Sequence, residues 1–149
     1  MSADLRDLYQ EVIVDHGRRP HNFGPMPDAS HQAEGFNPLC GDRLTLRLQV
    51  VDGVIEEARF EGVGCAISTA SASLMTEALK GLGASEAEAL FAGFHAMLTG
   101  EPPATPSSLG KLEVLAGVRE FPSRIKCATL AWHTLHAALH TESQPVTTE

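Results

Sequence analysis

Between residues 43 and 50 the chain alternates polar and apolar side chains, and after Gly62 and Gly64 the pattern becomes helical. Leu44, Leu46, Leu48 and Val50 interleave with Arg43, Thr45, Arg47 and Gln49. A strand with this pattern shows an apolar face on one side and a polar face on the other. Asp52-Gly53 suits the positive backbone angles of a tight hairpin turn, and Val54 to Glu61 supplies the returning strand. A hairpin with one apolar face has to be covered. The helical pattern from Ala66 to Leu82, stopping at Gly83, is the nearest element able to cover it.

The other elements are read from the same signals. Leu5, Leu8, Val12 and Ile13 predict a helix over 4–16, ended by Gly17 and Pro20. Prolines 20, 25 and 27 make 18–29 an extended loop, and 31–36 reads as a further strand. Ser85 with Glu88 forms a capping box for a helix through Leu98, closed by Gly100 and followed by a connector with Pro102, Pro103 and Pro106. A helix over 109–118 and another from Arg124 to His140 follow, and the polar residues 141–149 read as a flexible tail. Strands first and helices second predict an α+β fold, a small antiparallel sheet with helices packed on one face. The expected organisation is one domain over 1–140 with the tail attached.

Composition narrows the function. A chain of 149 residues, 43% hydrophobic and 20% charged, can bury one core without disulfide staples. No basic segment leads into an apolar stretch at the N-terminus, and no apolar run approaches the ~18 residues of a membrane span. The expected location is therefore cytoplasmic, with no membrane partner. Thiols stay reduced there, so three cysteines read as metal ligands or reactive groups. A net charge of −8 argues against nucleic acid, whose phosphates call for clustered Lys and Arg, and favours a protein partner or a metal.

Cys40, Cys65 and Cys127 each sit where a loop meets a regular element, and Asp42 follows the first of them by two positions. Three sulfurs and one oxygen are the ligand count of a tetrahedral zinc site. Their wide spacing matches no compact finger, so the tertiary fold has to assemble the site. Cys65 and Cys127 are expected in helical first turns, where unpaired N–H groups and the helix dipole favour the thiolate. Blander readings stand beside this one. A single cysteine in a helix is often a small buried hydrophobe, Asp42 could be a turn residue, and Gly62 and Gly64 could serve only a sharp turn. His133, His136 and His140 lie on one helical stripe away from Cys127, and read as a surface stripe favoured by the helix C-terminus. A Cys–His protease lacks any readable nucleophile motif or orienting triad.

Asn-Pro-Leu-Cys-Gly-Asp at 37–42, Gly-Val-Gly-Cys-Ala-Ile-Ser at 62–68 and Arg-Ile-Lys-Cys-Ala at 124–128 resemble the three signature peptides of the SufU/IscU/NifU N-terminal family of iron–sulfur cluster assembly proteins. The resemblance spans nearly the whole chain. It is greatest to the zinc-dependent SufU branch. Lys126 stands where IscU-type scaffolds carry a histidine, the Leu-Pro-Pro-Val-Lys chaperone motif is absent, and the interval from Cys65 to Cys127 is long.

The resemblance implies zinc held by Cys40, Asp42, Cys65 and Cys127. It also implies sulfurtransferase activity in which Cys40, released from the metal when a partner histidine replaces it, accepts persulfide sulfur from a SufS-type cysteine desulfurase. Arg124 would support the site beside the metal, and a downstream cluster scaffold would receive the sulfur. Two alternatives stay open: a non-enzymatic scaffold in which the same residues bind iron or a nascent [2Fe-2S] cluster, and a purely structural zinc domain.

Overall fold

The alternating segment forms the hairpin its pattern dictates. In the computed structural model, which describes residues 2–38, 41–100, 109–140 and 146–147, strands β2 (Asp42–Val51) and β3 (Val54–Val63) pair antiparallel. Asp52 (φ 53) and Gly53 (φ 80) both take the left-handed conformation that matches a two-residue turn to the strand twist. Leu44, Leu46 and Leu48 are buried, as alternation requires. On β3 the buried residues are Ile55, Ala58 and Phe60, because a register shift at Gln49/Val50 leaves Glu56 as an extra, bulged residue.

Strand β1 (His31–Asn37) pairs antiparallel with β2 and completes the three-stranded antiparallel sheet expected. Val146–Thr147 adds a short parallel strand, β4, beside β1, giving the order β3-β2-β1-β4. These two residues belong to the segment read as a tail. The rest of that segment, the proline-rich connector and Cys40 lie outside the described residues. The loop over 18–29 is tied along β3: Gly24 N–H donates to Phe60 O at 3.0 Å, and Phe60 N–H donates to Asn22 O at 3.1 Å.

The helices are α1 (Ser2–Arg18), α2 (Ala66–Leu79), α3 (Ala84–Thr99) and α4 (Pro122–Leu139), with a 3-10 helix over Gly110–Glu120. α4 packs on β1 and β2, and α2 packs on β3, α4 and α1. Gly35 lets α4 approach this closely, since a Cβ there would lie 2.1 Å from Thr134 Oγ1 and 3.0 Å from Leu130 Cδ1. Trp132 of α4 is fully buried at the centre. It stacks on Phe94 of α3 with ring centroids 4.7 Å apart and donates from Nε1 to Ser71 Oγ of α2 at 3.1 Å. Ala70, Ser71, Ala72 and Ser73 are all buried, and such small side chains let α2 sit close to neighbours on more than one side.

Several boundaries differ from the sequence reading. α2 ends at Leu79, three residues before the predicted stop. α3 begins at Ala84, where Gly83 N–H donates to Glu86 Oε1 at 2.9 Å, so the box falls two residues before Ser85/Glu88. The segment predicted as a helix over 109–118 is 3-10. α4 begins at Pro122, a residue suited to a first helical position because it needs no N–H acceptor there. Among the described residues no helix is long and apolar enough to cross a membrane.

Candidate metal centre

Asp42, Cys65 and Cys127 converge at one end of the sheet, each offering a ligand atom within 4.8 Å of the others. Asp42 opens β2, Cys65 caps α2 just after β3, and Cys127 comes from α4, so adjacent strands and two helices deliver them. Sequence positions far apart become one site through the hairpin and the docking of α4 on the sheet.

Asp42 is completely buried. Its Oδ1 accepts from the Cys65 backbone N–H at 2.9 Å, and its Oδ2 accepts from Asn37 Nδ2 at 3.2 Å. A buried carboxylate without compensation is costly, and two hydrogen bonds offset only part of that cost. Gly64 makes the approach possible: a Cβ there would stand 2.8 Å from Asp42 Oδ1.

Cys65 is the N-cap of α2, one position before the first turn in which it was expected, and its Sγ accepts from Ser68 N–H at 3.4 Å. Cys127 departs from expectation. Because α4 starts at Pro122, Cys127 lies in the second turn rather than the first, and it is fully buried. Its Sγ takes a 3.5 Å contact from Asn37 Nδ2 and points to Ser123 O at 3.8 Å. A side-chain donor thus takes the place of the free helix-terminal N–H groups.

Asn37 escaped the sequence reading. It is fully buried and bridges Asp42 and Cys127 from the end of β1. An asparagine before proline usually signals a turn. Gly41 N–H indeed donates to Asn37 O at 2.9 Å, so its backbone does serve a turn while its side chain serves the site. Arg124 is exposed in the first turn of α4, one turn before Cys127 and on the same side of the helix. Cys40, predicted to be the fourth ligand, lies outside the described residues; Gly41 beside it has φ 72.

Two thiols and a carboxylate, held by hydrogen bonds, form a donor set that fits a thiolate-ligated metal of the zinc or iron class. A cation there would also balance the buried Asp42 charge. The histidine stripe is separate, as expected, but is not wholly at the surface. His133 is half-buried against Phe91 (5.2 Å between ring centroids), while His136 and His140 are exposed and pair with Glu88. Burial, with the charges of His95 and His136 adding to it, lowers the His133 pKa below 6.5.

The NifU-like N terminal domain profile matches residues 8–128. The chain is 43% identical over 141 residues to the zinc-dependent sulfurtransferase SufU of Bacillus subtilis (strain 168), covering 95% of each chain. It is 44% identical over 137 residues to the iron–sulfur cluster assembly scaffold protein IscU of Streptococcus pyogenes serotype M1, covering 92% of this chain and 86% of that one. A crystal structure from Fervidobacterium islandicum AW-1, provisionally assigned as a cluster assembly scaffold for the SUF system, superposes with a TM-score of 0.80 at 33% identity, over 90% of this chain and 98% of that one. A NifU-like N-terminal protein from Brucella abortus shares the fold, with a TM-score of 0.81 at 23% identity over 94% of this chain and 99% of that one.

Proposed function

Because the chain belongs to the NifU-like N-terminal domain family, we propose that it serves iron–sulfur cluster assembly as a zinc-dependent sulfurtransferase that accepts persulfide sulfur from a cysteine desulfurase. The observation that carries this reading is the convergence of Asp42, Cys65 and Cys127, with Cys40 two positions before Asp42 in the sequence. In it, Cys40, Asp42, Cys65 and Cys127 would hold zinc. When bound, the ion supplies a Lewis acid that keeps the sulfurs as thiolates at neutral pH.

The chain's own residues divide the work. Asn37 and the Cys65 N–H orient the Asp42 carboxylate, and the N-terminus of α2 supports the Cys65 sulfur. Cys40 stands between Pro38 and Gly41 in the sequence and is taken as the acceptor, whereas Cys65 and Cys127 are fixed to helices. The Cys40 thiolate attacks the outer sulfur of the desulfurase persulfide. A new S–S bond forms on Cys40 while the bond to the desulfurase cysteine breaks, and that cysteine leaves as a thiolate and takes up a proton. Arg124, exposed one helical turn before Cys127, would offer a positive charge to the anionic persulfide.

The second reading is a scaffold on which the same residues hold a nascent [2Fe-2S] cluster as cargo. It is favoured by the likeness to proteins named as IscU scaffolds. Lys126, where IscU-type scaffolds resemble one another in carrying histidine, favours transfer. The deciding experiment is elemental analysis of anaerobically purified protein together with an assay of desulfurase activation, using a SufS-type enzyme. Stoichiometric zinc with strong activation supports transfer. Iron and acid-labile sulfide without activation support the scaffold, and zinc with no activation leaves a structural zinc domain.

A further inference from the structure

At the opposite end of α2 from Cys65, three further side chains come together. His16 Nε2, from α1, lies 3.6 Å from Glu77 Oε1, and His21 Nδ1 lies 3.1 Å from Glu77 Oε2. One ligand atom from each of the three fits within a 4.8 Å cluster. We infer that His16, His21 and Glu77 form a second metal site, for one divalent transition ion of the zinc class.

The local structure prepares the ligands. His16 is 4% exposed, and its Nδ1 is hydrogen-bonded to Ser73 Oγ at 2.7 Å, which turns Nε2 toward Glu77. A hydrogen bond on one ring nitrogen fixes a metal-binding histidine so that the other can ligate. Ser73 Oγ also accepts from the His21 backbone N–H at 2.7 Å. Asn22, left-handed at φ 58, donates from Nδ2 to Thr76 Oγ1 at 3.2 Å, so the turn carrying His21 is fastened to α2 on both sides.

Glu77 supplies the independent sign. Its Oε1 is shielded from solvent and receives no hydrogen bond among the described residues. The 3.6 Å to His16 Nε2 is too long for a hydrogen bond. It is instead the spacing of two ligands on one ion, since bonds of ~2.0–2.2 Å at tetrahedral angles put neighbouring ligand atoms ~3.3–3.6 Å apart. A hollow of about 250 Å³, lined by His21, Asn22, Glu77 and Lys80, gives the ion a path in and leaves room for water to complete the set. Lys111 Nζ stands 4.0 Å from Glu77 Oε2, but its side chain is 69% exposed and can withdraw on its flexible stem.

The site is distinct from the cysteine centre, because Cys65 caps α2 and Glu77 lies roughly 18 Å along it at ~1.5 Å per residue. Glu88, His136 and His140 form another candidate group, but both of its imidazoles stand exposed. An ion on His16, His21 and Glu77 would clamp the end of α1 and the following turn to α2.

The test is a Co²⁺ titration of the protein as purified, with bound cobalt counted by equilibrium dialysis and coordination read from absorption. One added equivalent is expected, showing visible d–d bands without thiolate-to-cobalt charge transfer. His21→Gln and Glu77→Gln, both at partly exposed positions, should weaken that equivalent by about tenfold or more, while His136→Gln leaves it unchanged. Circular dichroism of each variant separates lost ligation from lost fold. No added equivalent, an equivalent that persists in both His21→Gln and Glu77→Gln, one lost in His136→Gln, or cobalt taken up only with thiolate bands would overturn the assignment. These outcomes do not depend on sulfur transfer, so failure of the proposed activity is read separately.

Discussion

Asp42 Oδ1 accepts the backbone N–H of Cys65 at 2.9 Å, so the carboxylate that opens β2 also fixes the entry to α2. One side chain thus serves both as a candidate ligand and as a clasp between two elements, and substitutions can separate these roles. Asp42→Asn keeps an oxygen for the Cys65 N–H but loses the charge. It should lose most bound zinc while retaining most of the stability. Asp42→Ala should lose the zinc and a further ~1–3 kcal/mol, because buried donors are left without an acceptor. Metal analysis paired with urea denaturation checks the split, and equal stabilities for the two variants would contradict it.

Gly64→Ala tests the cradle. Its Cβ would meet Asp42 Oδ1 at 2.8 Å, pushing the carboxylate from its place at a cost of about 1–3 kcal/mol. Zinc should pass to a competing chelator more readily than from the parent, with helix content unchanged by circular dichroism.

Gly35→Ala tests how α4 is seated. The added methyl would clash with Thr134 Oγ1, and a loss of about 1–3 kcal/mol is expected. Thr134→Ala in the same chain should recover part of it. A double-mutant cycle with no coupling would show that the two residues do not meet as described.

Cys40→Ser and Cys65→Ser should behave differently. If Cys40 is the acceptor, its serine variant takes no sulfur from desulfurase yet keeps part of its zinc, whereas Cys65→Ser and Cys127→Ser mainly lose zinc. Rapid alkylation and peptide mass spectrometry after incubation with desulfurase and cysteine should place the added sulfur on the Cys40 peptide. Sulfur found chiefly on Cys65 or Cys127 would refute the assignment.

His133 gives the fold a pH dependence. It faces Phe91 and His95 of α3 and neighbours His136 on α4, and its folded pKa lies below 6.5, chiefly through burial. The unfolded chain therefore takes up the proton first. Stability present above pH 6.5 should decline as the pH falls toward the lowered value, with a slope of at most about 1.4 kcal/mol per pH unit from this group. His133→Gln should flatten that part of the curve in denaturation measured across acidic pH.

The sequence exposed the hairpin because alternation and Asp52-Gly53 act locally, and it exposed Cys65 at the strand-to-helix junction because the change of periodicity falls beside it. The bulge at Glu56 left only the adjacent pair Glu56-Glu57 as its trace, a break in alternation whose register the partner strand has to decide. The α3 start was misplaced because Gly83/Glu86 and Ser85/Glu88 offer overlapping capping registers. Tertiary packing decides between them by placing Glu88 against His136 and His140. Cys127 was put one turn too early for want of a start at Pro122. Asn37 stayed invisible because the sulfur it contacts is 90 residues away.

The single tryptophan of the chain lies buried in the seam between the helices that carry Cys65 and Cys127, and its indole N–H reaches Ser71 across that seam. Its emission is therefore a built-in gauge of that seam. Any event that draws the two sulfur-bearing helices apart, whether chelation or the docking of another protein, should shift Trp132 fluorescence to longer wavelength without an added label.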